Sequence, residues 1–368
     1  MSASFRYLIV AGTFSSEGPG KPSGLMGKLH QQMSIINPWT LLFNGATIED
    51  LDRFVDHPDA FDEFDVIIWS PVLPEGKNYD IKKRLFRKIF IPSFNNTEGQ
   101  YPFINMLSEA LGQKANLFLE FSKYDYDTTK YQVAVCDPLG NMFCRSADLG
   151  VVAMTLMYRI QELTRYTRVS SICVEDSYIS PEMPENYLHI VRKLGERFHE
   201  IIHMSESYRY LGNLSFRCAE GFPSFKDGGG RIYVSRRDSD KRSITDKQFI
   251  PVSMAAGGAL SGFQVRYRGH HKPSVDAPIQ MLLYNYYRRI KFIIHGHAYI
   301  NSAPFTSLVI PCGALEEFYE VIKVYPDRDM EFFEVNLKGH GSIAFAKDVE
   351  QLRKIRPYYK RPLPEEQH

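Results

Sequence analysis

The chain has 368 residues, 44% hydrophobic and 24% charged, which excludes a disordered or fibrous protein and supplies core material for two domains at about 100 to 200 residues each. Lys and Arg number 44 against 43 Asp and Glu, so no overall field favours nucleic acid or an anionic membrane, and anion recognition must be local. Five cysteines (Cys136, Cys144, Cys173, Cys218, Cys312) without C-x-x-C spacing predict neither a disulfide framework nor a thiolate zinc site. The opening MSASFRYLIVAG is unlike a signal peptide, and no run reaches the roughly 18 apolar residues that span a bilayer. A soluble cytoplasmic protein in a reducing compartment, with no membrane and no nucleic acid as partner, is expected.

The first 180 residues alternate short apolar runs with helical patterns. Strands are predicted at 7–11, 39–44, 66–70, 88–92, 116–121, 131–136 and 171–174, and helices at 24–33, 48–55, 101–111 and 147–165. Such alternation predicts an α/β fold with a mainly parallel sheet, a Rossmann-like domain over residues 1–180. Asp137-Pro-Leu-Gly140 is a turn signal that folds strand 131–136 back onto 141–145 as an edge hairpin. The loop after the first strand, AGTFSSEGPGKPSGLMGK, is rich in glycine and hydroxyls and runs from strand to helix. Such a loop can bring backbone N–H groups to a nucleotide phosphate, with Gly24, Gly27 and Lys28 as candidate contacts.

Pro181 and Pro184 mark a break, after which a second domain is expected over 185–356, followed by a charged, Pro-rich tail at 357–368. Here helices are predicted at 185–203, 277–288 and 313–322, and strands at 214–218, 231–235, 292–295 and 332–337. His295-Gly-His297 follows the apolar run KFII, and side chains two apart on extended chain share a face. A third histidine, His340, stands in Lys-Gly-His-Gly directly after FFEVNL. Three neutral imidazoles with one open position make a catalytic zinc arrangement, whose open position polarises a substrate oxygen.

Five pieces now stand in order: Gly212-Asn-Leu-Ser215, Lys272-Pro-Ser-Val-Asp276, IIHGHA at 293–298, IPCGALEE at 310–317 and LKGHGSIAF at 337–345. Over about 185–352 they resemble the class II aldolase/adducin family, which includes L-fuculose-phosphate aldolase, L-ribulose-5-phosphate 4-epimerase and methylthioribulose-1-phosphate dehydratase. The resemblance implies a class II aldolase-like α/β/α domain with His295, His297 and His340 as metal ligands, zinc or another divalent cation as cofactor, and a homo-oligomer. It implies that Asp276 completes the metal shell or takes a proton, although an Asp there also suits the cap of the following helix.

The same resemblance assigns phosphate binding to Asn213, Ser215 and Ser274. At its middle segment Ser235-Arg-Arg-Asp238 departs from the family pattern, because two arginines stand where a glycine is expected. Arg236 or Arg237 could grip a phosphate or carboxylate bidentately. Val275, where the family often has a second serine, weakens the phosphate assignment. His270 and His271 point to opposite faces if extended and are read as rim residues. Glu316 and Glu317 are catalytic candidates at a helix start, and Tyr358 and Tyr359 match the family's C-terminal tyrosine by position only.

The expected activity is a zinc-dependent lyase or epimerase acting on a small sugar or sugar phosphate through a metal-stabilised enediolate. The alternatives are a sugar-phosphate dehydratase, or a noncatalytic adducin-like interaction module fused to a nucleotide-binding domain. Adducin-type members lack the metal histidines that this chain retains. The N-terminal strand order and the SGLMG segment faintly resemble phosphopantothenoylcysteine synthetase, which implies a Rossmann-like fold there.

Overall fold

The structure, a computed structural model, describes residues 5–85, 88–96, 102–124, 127–175, 180–202, 212–217, 231–254 and 263–358. The chain divides into two compact units, one running through Glu162 and the other starting at Leu163.

The first unit opens with β1 (Tyr7–Ser15), α1 (Gly24–Ile36), β2 (Thr40–Thr47), α2 (Ile48–Asp56), β3 (Val66–Val72) and β4 (Ile89–Asn96). It continues with α3 (Phe103–Gly112), β5 (Phe118–Tyr124), β6 (Asp127–Cys136), β7 (Met142–Ser146) and α4 (Leu149–Thr164). The sheet order is β2-β1-β3-β4-β5-β6-β7, parallel through β5 and antiparallel for β6 and β7. β1 and β3 carry continuous buried runs, as strands covered on both faces require. Short polar side chains start the helices: Ser23 Oγ accepts from Met26 N, and Thr47 Oγ1 accepts from Asp50 N. In α2 the buried residues are Ile48, Leu51 and Val55, one apolar stripe at helical spacing. The expected edge hairpin forms, and buried Asp137 holds its turn by accepting from Leu139 N, Asn141 N and Asn141 Nδ2.

The second unit contains β8 (Ser170–Glu175), α5 (Tyr187–Ile202), β9 (Asn213–Arg217), β10 (Arg231–Ser235), β11 (Phe249–Met254), β12 (Gln264–Arg268) and α6 (Ala277–Tyr286). It ends with β13 (Phe292–Gly296), β14 (Tyr299–Ile300), α7 (Glu316–Val324), β15 (Phe332–Leu337), β16 (Gly341–Ala346) and β17 (Pro357–Tyr358). Its main sheet runs β15-β16-β13-β9-β10-β11-β12-β8, antiparallel except where β8 meets β12. β8 therefore belongs to this sheet, whereas the alternation of the first 180 residues groups it with the N-terminal strands. An edge strand with one partner carries no periodicity that tells which sheet it joins.

Side chains on one face of the sheet pack with α6 and α7 around Ile232, Val252, Leu283, Ile293, Val335 and Phe345. On the other face Tyr187 of α5 lies 5.2 Å from both Phe216 and Phe292, ring centroid to ring centroid. The result is α/β/α layering in which β13, the strand of the His-Gly-His motif, is central and buried throughout.

Candidate metal centre

β13 alternates its side chains between the two faces. Ile293 and His295 point to the α6/α7 side, and Gly296 lies under α5, where an added Cβ would stand 2.1 Å from the Phe198 ring. Across the ladder His295 pairs with Asn213 on one side and Ile343 on the other. His340 sits in the turn between β15 and β16, so strand order alone brings it beside β13. The ring of His295 lies 5.0 Å from that of His297 and 4.5 Å from that of His340, and one nitrogen of each falls within 4.8 Å of the others.

The partners of the δ nitrogens fix the tautomers. His295 Nδ1 is 3.0 Å from the carbonyl of Ser342, which can only accept, so the proton is on Nδ1 and the Nε2 lone pair is available. His340 Nδ1 is 2.7 Å from Glu317 Oε2 and donates to it in the same way. Both Nε2 atoms are buried and without a hydrogen-bond partner among the described residues. A buried ring nitrogen without a partner, whether a lone pair as on His295 or an N–H on a protonated His340, costs free energy unless something outside the chain engages it. An added Cβ at Gly212 would stand 2.6 Å from His295 Cδ2 and 3.0 Å from the Nε2 atoms of both His295 and His297. Gly212 thus leaves open the space those two nitrogens face. Oriented imidazoles with δ protons held by a carbonyl and a carboxylate are what a divalent cation needs, so the residues present fit a metal ion.

Asp276 borders this cluster at the start of α6, buried, and its side chain does not cap the helix. Instead Oδ1 accepts from Cys312 Sγ at 3.1 Å and Gly313 N at 3.1 Å, and Oδ2 accepts from Asn213 Nδ2 at 2.8 Å and Ser274 Oγ at 3.4 Å. Gln280 Nε2 in turn donates to Asn213 Oδ1, which fixes the Asn213 amide with its nitrogen toward Asp276. Among the described residues a second possible ligand group is Asp276, Cys312 and His340, so His340 is common to both.

Burial disfavours charge on all of these groups. It drives His295 well below the ordinary imidazole range, helped by His340 and His297. For His340 burial is outweighed by the Glu317 carboxylate, which holds it well above that range. Burial pushes Asp276 up, but His340, His295 and the bond from Cys312 together hold it below the usual carboxylate value. A cation at these nitrogens competes with the proton on His340.

Of the remaining expected site residues, Ser274 borders the cluster and several others do not join it. Glu316, one residue before Glu317, turns away and accepts from Thr167 N with both carboxylate oxygens at 3.0 Å. Ser215 Oγ is buried against Tyr284 OH at 3.0 Å, and Ser235 Oγ is buried accepting from Leu214 N at 3.1 Å. Ser274 also accepts from Asn213 Nδ2 at 3.0 Å. The Arg236 guanidinium lies 3.3 Å from His271 Nε2 at the surface, and Arg237 is exposed. Tyr358 pairs with Tyr299 in the small β14-β17 ladder, and Tyr359 lies outside the described residues. In the first unit Thr13 N donates to Lys21 O and Gly20 N to Ala46 O, so the glycine-rich loop folds back on the sheet and consumes part of its own amides. Gly24 and Gly27 stand in the first turn of α1, with Lys28 exposed. Sequence reasoning does not single out Cys312, Gln280 or Ser342. Cys312 lies inside the IPCGALEE piece, but its meaning comes from contacts with Asp276, far away along the chain.

An antiparallel strand presenting a three-histidine cluster beside a buried carboxylate makes a candidate metal site in an α/β/α domain. Residues 206–355 match the family model described as Class II Aldolase and Adducin N-terminal domain, over most of the region where the motifs carry that resemblance. Three solved structures are similar to parts of the chain. A sugar-phosphate aldolase from Thermotoga maritima is 17% identical, covering 45% of this chain and 91% of that one with a TM-score of 0.31. L-fuculose-1-phosphate aldolase from Thermus thermophilus is 14% identical, covering 46% and 84% with a TM-score of 0.28. The C-terminal domain of the coenzyme A biosynthesis bifunctional protein CoaBC is 16% identical, covering 43% and 94% with a TM-score of 0.31. No curated protein matches the chain. Among the described residues no helix is long and apolar enough to cross a membrane.

Proposed function

We propose that the second unit is a metal-dependent lyase or epimerase acting on a small sugar or sugar phosphate, with zinc held by His295, His297 and His340. The observation that carries this reading is the pair of buried, unpartnered Nε2 atoms of His295 and His340 beside His297, with an anchored carboxylate, Asp276, at the edge of the cluster. When bound, the cation supplies Lewis-acid stabilisation of negative charge developing on a substrate oxygen. Glu317 fixes the His340 ring and tautomer through Nδ1, and Asn213, itself fixed by Gln280, aims Asp276. Asp276 takes the substrate proton at Oδ2, where the Ser274 hydroxyl is the most weakly held of its four donors at 3.4 Å.

Asn213 and Ser274 hydrogen-bond Asp276, and the anionic end of the substrate is assigned to the exposed Arg236–His271 pair, where a planar guanidinium grips a phosphate or carboxylate. The first unit is assigned a nucleotide through Gly24, Gly27 and Lys28, and the whole chain a homo-oligomeric, cytoplasmic enzyme. The test is a panel of ketose and aldose phosphates assayed for aldol cleavage, epimerisation and exchange of carbonyl-adjacent protons into deuterated water. Turnover is expected with at least one member and is abolished in His340→Ala. Wild-type turnover unchanged in that variant, or no turnover by zinc-loaded protein across the panel, contradicts the assignment.

A further inference from the structure

Between the start of β11 and the end of β12 opens a cavity of about 420 Å³, lined by Ser180, Lys247, Ile250, Gly269, His270 and His271. Strand pairing puts it at the same end of the large sheet as the histidine cluster. Ser235, the last residue of β10, pairs with Phe249, the first of β11, and Asn213, the first of β9, pairs with His295 near the end of β13. Ile250 belongs to the apolar cluster that packs with α6 and α7, so the cavity and His295 also share a face of the sheet. β10 stands between them in the strand order.

Main-chain bonds hold this place together. Gly269 turns the chain out of β12 with φ of +109°, a conformation that favours glycine, and its N donates to Glu175 O at 2.9 Å. Arg236 N donates to Gln248 O at 2.6 Å, Arg237 N to Lys272 O at 3.0 Å and Ser274 N to Ser235 O at 3.2 Å. Arg236 is thus clamped between the segment that carries Lys247 and the one that carries His271, and its Nη1 reaches His271 Nε2 at 3.3 Å. A guanidinium can only donate, so His271 accepts at Nε2 and keeps a ring proton on Nδ1 to offer. The Lys247 ammonium has no hydrogen-bond or ion-pair partner among the described residues. Two carboxylates beside the cavity are already engaged: Glu175 pairs with Arg268 at 3.2 Å, and Asp246 accepts from Ser180 Oγ at 3.4 Å.

A clamped arginine, an unpaired lysine and an imidazole N–H offer more donors than a planar carboxylate uses, and they suit the terminal oxygens of a phosphate monoester. We propose that this cavity binds a phosphate group through Arg236, Lys247 and His271. The site is distinct from Asn213, Ser215 and Ser274, to which the family resemblance assigns phosphate and which are engaged with Asp276 or Tyr284. The inference rests on the enzyme reading above only in making the substrate the carrier of that phosphate; the binding itself needs the cavity alone.

The probe is inorganic phosphate, titrated by calorimetry into the full-length protein as purified and into Lys247→Ala, His271→Ala, Lys247→Arg and Lys28→Ala. Lys247 and His271 are exposed, so neither change removes core packing. Affinity about tenfold weaker in Lys247→Ala and in His271→Ala, kept in Lys247→Arg and unchanged in Lys28→Ala of the first unit, is expected. A wild type that binds no phosphate, alanine variants that bind it equally well, or acetate bound as tightly as phosphate overturns the proposal. Zinc content of the same samples separates the two readings, and Lys247→Ala is expected to weaken phosphate binding while retaining its zinc. Zinc lost together with phosphate affinity in that variant overturns a separate cavity. The same phosphate pattern in a wild type without zinc supports the cavity and defeats the metal reading alone.

Discussion

Asp276 shows how one side chain can satisfy a motif and still not do what local sequence suggests. As the residue before α6 it suits a helix cap, yet its oxygens face inward to four donors supplied by Cys312, Gly313, Asn213 and Ser274. The near-isosteric change Asp276→Asn is therefore not benign. Its NH2 must face either the rigid Gly313 N–H or the Asn213 amide, which Gln280 prevents from flipping. A buried donor then meets a donor, at a cost of about 1 to 3 kcal/mol. A clear fall in thermal midpoint is expected for Asp276→Asn; a midpoint equal to the wild type's contradicts this hydrogen-bond arrangement. Gly212 gives the complementary lesson, because in the sequence it reads as an ordinary flexible residue before a strand. Only the fold shows that a Cβ there would enter the space faced by two Nε2 atoms.

At the scale of elements, much is legible because pattern and burial agree. The strands at Arg231–Ser235 and Phe332–Leu337 and the helices α1 to α4 follow apolar runs or stripes bounded by turn residues. β11, β12 and β16 are not among the predicted strands. β11 follows a polar stretch and contains Pro251, and β12 alternates charged and apolar residues over only five positions. β16 lies inside the His340 motif, whose residue types draw attention to ligation rather than to extended chain. The three histidines and Asp276 are legible as motif residues, whereas Glu317 and Glu316 cannot be told apart until α7 aims one at His340 and the other at Thr167. Within β15, burial pushes Glu334 up to about 7, partly offset by Arg356. The folded state thus holds a proton that the unfolded chain, with its ordinary carboxyl at 4.5, gives up. Stability conferred by this group is full below about pH 4.5 and is lost as pH rises through about 7. Glu334→Gln, which cannot titrate, should gain thermal midpoint relative to wild type as pH goes from 5 to 8 (roughly the span in which the wild-type group ionises). A difference between the two midpoints that stays constant over that range contradicts the shift.

For the whole molecule, the two large sheets among the described residues differ in strand direction, and all the proposed metal chemistry lies in the second unit. The near-neutral charge excludes an overall field, so the binding proposed here rests on local elements: oriented imidazoles, a carboxylate with four donors and the exposed Arg236–His271 pair. The proposed cation would unite the histidines, since the Nε2 atoms of His295 and His340 otherwise remain buried without partners among the described residues. Elemental analysis of purified wild-type protein after dialysis against zinc is the most direct test. About one zinc per chain is expected, as a single catalytic site requires, falling to near zero in His295→Ala and in His340→Ala. A wild type that holds no zinc after loading, or variants that retain the full complement, would contradict the three-histidine metal centre.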